Sequence, residues 1–201
     1  MVRAVPIFVA LVLLAGAAPA AAQFGKVKAV PDTWMSVWIG GFHDPGNVSD
    51  DESNSRWDFG PALGGGAGLH HKLGSSLMAG LDVSFAPARY ERTVRGDTAA
   101  IEESGRLATA MLSGRLRYGG GGDFSMYLTG GAGAFIYGLP ALDRWDPDLA
   151  LLAGAGLEYR AAPNKALFLE WGKYWTFHQH DGVQSNSPKH SALRVGGRFG
   201  W

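Results

Sequence analysis

There is no cysteine in the 201 residues. The fold therefore has no disulfides to lean on, and no lipidated cysteine can anchor an exported form. There is no charge imbalance either: 18 Lys and Arg face 18 Asp and Glu, which gives no basic footprint for nucleic acid. Long apolar runs are missing beyond the first stretch, so membrane helices are not expected in the body of the chain. The glycine run "LGGGAG" is not followed by Lys-Ser/Thr, which excludes a phosphate-cradling loop of the nucleotide-binding kind.

What is present begins with "MVRAVPIFVALVLLAGAAPAAAQ". One early charge (Arg3), an apolar core and the small residues Ala20, Ala21 and Ala22 form the pattern of a secretory signal peptide. The apolar core is short of the ~20 residues that a spanning helix needs. The expected division is 1–22 as signal peptide and 23–201 as one exported domain, with cleavage near Ala22–Gln23. The remainder is rich in glycine, with 30 in the whole chain, and in aromatics, at 11%. An exported, disulfide-free, glycine-rich chain of this kind suits an all-β fold.

Periodicity of two runs almost throughout. Eight segments can be read: Thr33–Phe42, Trp57–Leu69, Ser75–Ala88, Arg106–Tyr118, Phe124–Gly138, Leu149–Arg160, Ala166–Phe177 and the closing "HSALRVGGRFGW". They run about 10–13 residues, longer than the ~5–6 of a usual strand and close to the ~9–11 tilted residues that cross a bilayer. Three connections are short and turn-rich ("HHKLG", "GGGGD", "AAPNK"); four are longer or more polar. Short turns at one end and long loops at the other, with an even strand number, describe an antiparallel up-and-down transmembrane barrel with both termini periplasmic. Closure is required because an unpaired strand edge in hydrocarbon costs several kcal/mol per backbone group.

Within that barrel the continuous apolar row of each strand should face lipid. The second segment should turn Trp57, Phe59, Leu63, Ala67 and Leu69 outward; the first is apolar on both rows and leaves its orientation open. The mixed rows should face a lumen filled by side chains, with glycines making room for rings. They carry Asp82, Arg115, Arg117, Glu158, Arg160, Glu170, Arg194 and Arg198. Buried charges need partners, and adjacent strands place Glu170 against Arg194 or Arg198. Lys173 falls on the lipid row, which implies either a bulge at Gly172 or a snorkelling side chain. Trp34, Trp57, Phe59, Tyr118, Phe124, Tyr159, Trp175, Phe177 and Trp201 near strand ends should form interfacial girdles.

The whole mature chain resembles the small eight-stranded outer-membrane β-barrels of the OmpA/OmpX type. Its end, "LRVGGRFGW", is similar to the C-terminal signal that the outer-membrane assembly machinery reads: Leu193, Val195 and Phe199 alternate and Trp201 closes, where phenylalanine is usual. The resemblance implies a cell outer membrane protein that meets lipid and lipopolysaccharide, is assembled through its last strand and is a monomer. A structural, surface-interacting or narrow porin-like role is expected, with a mostly plugged, charge-lined lumen.

No catalytic, cofactor or metal site is expected. "FHQHDGVQSNSPKH" contains His178, His180, Asp181, Ser185 and Ser187, the residue types of a Ser–His–acid arrangement. It lacks the H-x-S spacing of the outer-membrane lipid A deacylases, so a polar loop is the reading. His70–His71 belongs to a short turn and cannot meet the other histidines. His178 and His180 share a face, but two ligands do not make a site. The acidic run Asp50, Asp51 and Glu52 could hold divalent cations that bridge lipopolysaccharide; a solvated loop is expected instead. Two rivals remain: an enzyme modifying lipid A or phospholipid, and a soluble lipocalin-like barrel with its apolar rows turned inward around a ligand.

Overall fold

The computed structural model describes residues 31–44, 47–50, 54–97, 99–118, 123–180, 183–186 and 188–201. The expected leader and its cleavage site lie outside them. In chain order the strands are β1 (Thr33–Asp44), β2 (Asn47–Asp50), β3 (Ser55–Phe59), β4 (Ala62–Lys72), β5 (Leu77–Val94), β6 (Ala100–Tyr118), β7 (Phe124–Leu139), β8 (Arg144–Ala162), β9 (Lys165–His180), β10 (Val183–Asn186) and β11 (Lys189–Gly200). Eight of them pair antiparallel in the order β1, β4, β5, β6, β7, β8, β9, β11, and β11 returns to β1. The sheet is thus a closed barrel with no free edge in its wall. β2, β3 and β10 extend the hairpins beyond one rim.

Alternation decides which row faces where. Leu63, Leu81, Leu112, Leu128, Leu157, Leu169 and Val195 point outward and are 45–73% exposed. Asp82, Arg115, Glu158, Glu170, Arg194 and Arg198 point inward and are at most 5% exposed. This is the reverse of a soluble ligand-binding barrel, and it removes the lipocalin reading. Among the described residues no helix is long and apolar enough to cross a membrane; the crossing is made by strands.

The first strand, ambiguous in sequence, turns Trp34, Ser36, Trp38 and Phe42 inward and Met35 and Ile39 outward. Glycine makes this work. Trp34 lies opposite Gly200 on β11 and Trp38 opposite Gly66 on β4. A Cβ at Gly66 would come within 2.5 Å of the Trp38 ring, so the indole occupies the volume that a side chain there would need.

Three expectations are corrected. Trp57 and Phe59 do not share the lipid row of Leu63; both are buried inside. The pairing of β3 with β5 (Phe59 opposite Tyr90) is offset by one residue from that of β4 with β5 (Gly65 opposite Phe85). The slip falls at Gly60–Pro61, where proline has no N–H for the ladder and a bulge reverses the row. Trp34, Trp57 and Phe59 accordingly belong to the interior, not to a girdle. Tyr118, Phe124, Tyr159 and Trp201 are outward and exposed at the short-turn rim, with the Phe124 and Tyr159 rings 4.8 Å apart. Trp175 and Phe177 face outward at the other end.

The third correction concerns the long loops. The segment after Phe85 stays in register to Thr93 opposite Ala100, so β5 and β6 rise well past the apolar band as a hairpin. Its polar alternation is that of a strand in water: Arg89 meets Glu102 at 2.9 Å, and Tyr90 and Arg92 both donate to Glu103. Pairing through Gly172 is uninterrupted on both sides of β9. There is no bulge, and Lys173 remains on the outward row two residues short of Trp175.

Candidate functional site

The lumen is filled in three tiers. Nearest the short turns is an ionic tier. Strand pairing sets Arg194 of β11 directly opposite Glu170 of β9, and their side chains meet at 2.6 Å. Glu170 also receives a 2.9 Å hydrogen bond from the Tyr127 hydroxyl and has the Arg115 and Arg198 guanidinium groups 3.6 and 3.9 Å away. Arg198 pairs chiefly with Glu158, which Arg117 also contacts. Arg115 reaches Asp82 at 3.3 Å. The guanidinium planes lie over rings, Arg194 on Trp38 at 5.0 Å and Arg198 on Phe168 at 4.5 Å, where cation–π attraction adds to the ion pairs. Seven of the eight charges expected in the lumen, all but Arg160, are thereby drawn into one connected network.

Sequence reasoning missed His70. It does not sit in a turn; β4 continues to Lys72, and His70 occupies the inward row two residues after Gly68. Arg115 Nη1 lies 3.0 Å from its Nδ1. Arginine can only donate, so Nδ1 accepts and the ring proton is on Nε2. Nε2 in turn faces Asp82 Oδ2 at 3.1 Å and Ser113 Oγ at 3.0 Å. Ser, His and Asp are therefore together, but they are not wired as a hydrolase triad. A triad uses the two ring nitrogens for different partners; here both contacts fall on Nε2, Ser113 donates to Asp82, and all three residues are buried.

Above this lies an apolar tier. Phe42, Met111, Phe135, Tyr174, Leu107 and Leu152 belong to one buried cluster. Phe135 packs edge-on against Phe42 with centroids 5.3 Å apart and stacks on His190 at 4.3 Å. Tyr137 contacts the His190 Nε2 at 2.7 Å.

The third tier closes the hairpin end. His178, near the end of β9, is one residue past the last pairing with β8 (Phe177 opposite Leu149), and its Nδ1 is 2.9 Å from Asp148 Oδ1. Its Nε2 points at Asp50 Oδ1 (3.5 Å) and Asp146 Oδ2 (3.8 Å). Arg144 spans the same two acids, 3.2 Å from Asp50 and 3.0 Å from Asp146. The apolar outward rows end at Leu149 and Phe177, so these groups lie just past the membrane-spanning band. Burial pulls the His178 pKa down, but the bond to Asp148 and the charges of Asp148 and Asp146 outweigh it and hold it above the ordinary value. Burial raises Asp146 despite the opposing pull of His178 and Arg144. Asp50 is thus not part of a solvated run; it is 1% exposed. Asp51, Glu52, Asp181, Ser187 and the side chains of His180 and Ser185 lie outside the described residues. Asp50, Asp146 and His178 form the one metal-competent trio among the described residues, with ligand atoms all within 4.8 Å of one another.

A closed eight-stranded wall, apolar outside and charged within, defines a transmembrane β-barrel of the outer-membrane type. Residues 8–199 match the model of the outer membrane protein β-barrel domain family, and the chain belongs to that family. No curated protein matches it in sequence. Among solved structures it is similar to OprG of Pseudomonas aeruginosa (9% identity, TM-score 0.58, covering 86% of this chain and 96% of that one). Neisserial surface protein A is comparable (12%, TM-score 0.56, 87% and 100%), as is the outer membrane protein AlkL, whose structure was determined in DMPC bilayers (14%, TM-score 0.50, 92% and 96%). At such identities the likeness is one of fold.

Proposed function

We propose that the chain is a closed, non-conducting barrel of the outer membrane that acts through the hairpins at its far rim. In this reading the leader is removed on export, both termini are periplasmic, and the protein works as a monomer. Lipid surrounds the wall, lipopolysaccharide meets the hairpin side, and the strand carrying Leu193, Val195, Phe199 and Trp201 is handed to the assembly machinery. The carrying observation is the lumen itself: the contact of Arg194 with Glu170 at 2.6 Å and the Phe135 ring cluster above it leave the axis filled by side chains. An ion would have to break buried pairs and strip its own water to pass.

The reading is non-catalytic. The buried Ser113 and Asp82 both meet one nitrogen of His70, and His178 faces aspartates with no serine beside it among the described residues. Planar-bilayer recording of the purified protein tests the closure. A flat trace is expected; stepwise currents at low voltage would overturn it in favour of a narrow porin. Mass spectrometry of lipid A and phospholipids, with and without expression, tests the absence of catalysis; a changed acyl count would overturn it.

A further inference from the structure

We propose that Asp50, Asp146 and His178 bind one divalent first-row transition cation, with zinc as the type, and that the ion pins the first outer hairpin to β8 and β9. The first support is spacing. Zinc binds carboxylate oxygen and imidazole nitrogen at about 2.0–2.2 Å in tetrahedral sites, which puts neighbouring ligand atoms about 3.4 Å apart. The distances from His178 Nε2 to Asp50 Oδ1 and Asp146 Oδ2 are 3.5 and 3.8 Å, so small side-chain movements complete the cage.

The second support is the setting of the histidine. The His178 side chain is fully buried, and among the described residues its Nε2 makes no hydrogen bond of normal length, only the 3.5 and 3.8 Å contacts with Asp50 and Asp146. That nitrogen is aimed between two carboxylate oxygens. As a bare lone pair it would be repelled by both, so the position calls for a positive species on Nε2. Asp148 supplies what a metal-binding histidine ordinarily has: a carboxylate on the opposite ring nitrogen, fixing the tautomer and ring direction. Trp57 and Tyr137 lie edge-on to the imidazole at 5.8 and 6.5 Å. Arg144 bonds to Oδ2 of Asp50, leaving Oδ1 turned toward His178. The ligand set of one imidazole and two carboxylates suits zinc, manganese or cobalt better than calcium, which takes only oxygen. A proton is the competitor for the same Nε2, favoured by the same aspartates.

The test uses the full mature chain folded in detergent micelles, stripped with a chelator and titrated with zinc chloride by calorimetry. Expected is one zinc per chain, reversed by chelator, with affinity reduced at least tenfold in His178→Gln. It should be unchanged in His43→Gln/His180→Gln, which removes the neighbouring rim histidines. Heat-modifiable gel mobility establishes that each variant is folded. Should His178→Gln fail to fold, X-ray absorption at the zinc edge of the unaltered protein decides: one imidazole nitrogen with oxygen neighbours is expected. Two or more imidazoles, loss of binding only in the rim double variant, or no saturable uptake would each overturn the proposal. The last outcome would leave a proton as the species on Nε2.

Discussion

Replacing Glu170 by glutamine is the most direct measure of how the lumen is held together. The change keeps size and shape and leaves an oxygen for the Tyr127 hydroxyl, so what is removed is charge. Four arginines (Arg115, Arg117, Arg194, Arg198) face three acids (Asp82, Glu158, Glu170) in the ionic tier; the variant leaves four against two. Arg198 retains Glu158 and Arg115 retains Asp82, but among the described residues Arg194 has an ion-pair contact only with Glu170. At an effective dielectric of about 20, a unit pair about 4 Å apart attracts by about 4 kcal/mol. Stripping one partner from a buried pair costs about 3–5 kcal/mol, because the other charge is left in a poor solvent. The expected loss is therefore about 3–5 kcal/mol of unfolding free energy. It should be read by urea titration in phospholipid vesicles, following tryptophan fluorescence and the heat-modifiable band. The companion variant Glu170→Gln/Arg194→Met removes the stranded cation and should be more stable than the single variant, since whole buried pairs are often replaceable by apolar groups. A single-variant loss below about 1 kcal/mol, or a double variant worse than the single one, would refute the argument that paired charge carries the lumen.

Gly156 lies opposite Tyr127 in the ladder, and a Cβ there would fall inside the tyrosine ring. Gly156→Val should cost about 1–3 kcal/mol by overpacking, whereas Gly114→Val, whose nearest neighbour would be 3.8 Å away, should be close to neutral in the same titration. Deleting Trp201 removes the exposed ring and the backbone bond from its N–H to Thr33 at 3.1 Å. The folded, heat-modifiable fraction in cells should fall, while Trp201→Phe should match the parent. At the hairpin rim, His178 and Asp146 both have raised folded-state pKa values. A raised group stabilises below its unfolded pKa and loses that contribution as pH rises through the folded one. In metal-free protein, with Asp50, Asp148 and Arg144 as the other charges facing the imidazole, hydrogen exchange at β2 should be slower near pH 5.5 than near pH 8. His178→Gln should flatten that dependence, and the protection added by zinc should grow with pH as the proton leaves Nε2.

The barrel was legible because it is written in a repeat of two that bilayer and lumen enforce on every strand. Leu81 beside Asp82 or Leu193 beside Arg194 leaves only two arrangements once the sheet closes, charges inward or charges outward, and the exposures select the first. That Glu170 meets Arg194 or Arg198 followed from adjacent strands, and the register selects Arg194. Legibility ended where the physical constraint changed. Beyond the band, both rows of β5 and β6 face water or each other, so "PARYERTV" reads as loop although it is strand. At Gly60–Pro61 one extra residue reverses the row, and nothing in the composition of "WDFGPAL" says that Trp57 and Phe59 lie on the opposite face from Leu63. The rim cluster was hidden for a different reason. Asp50, Asp146 and His178 come from three segments whose approach depends on how the hairpins fold over the mouth. The sequence offered Asp50 and His178 as separate ligand types and Asp146 and Asp148 on one row, with nothing to bring the three segments together.

The neutral total charge conceals a separation along the axis. Arginines outnumber acids in the tier near the short turns. At the hairpin rim Asp50 and Asp146 flank Arg144, with Asp148 on the His178 imidazole. Between them lie Phe42, Phe135 and Tyr174, with no charge to replace lost water. A cation arriving from the hairpin side finds carboxylates first, then rings, then guanidinium groups. Each step beyond the rim is uphill for it: desolvation in the apolar tier, then repulsion from arginines in a medium that screens poorly. An anion from the other end meets the same rings and then the aspartates. In the proposed reading, the arrangement that opposes passage of either sign is also the one that favours holding a cation at the rim. The two proposals, a closed lumen and a metal at the mouth, thus draw on one distribution of charge, yet bilayer recording and zinc titration can fail independently of each other.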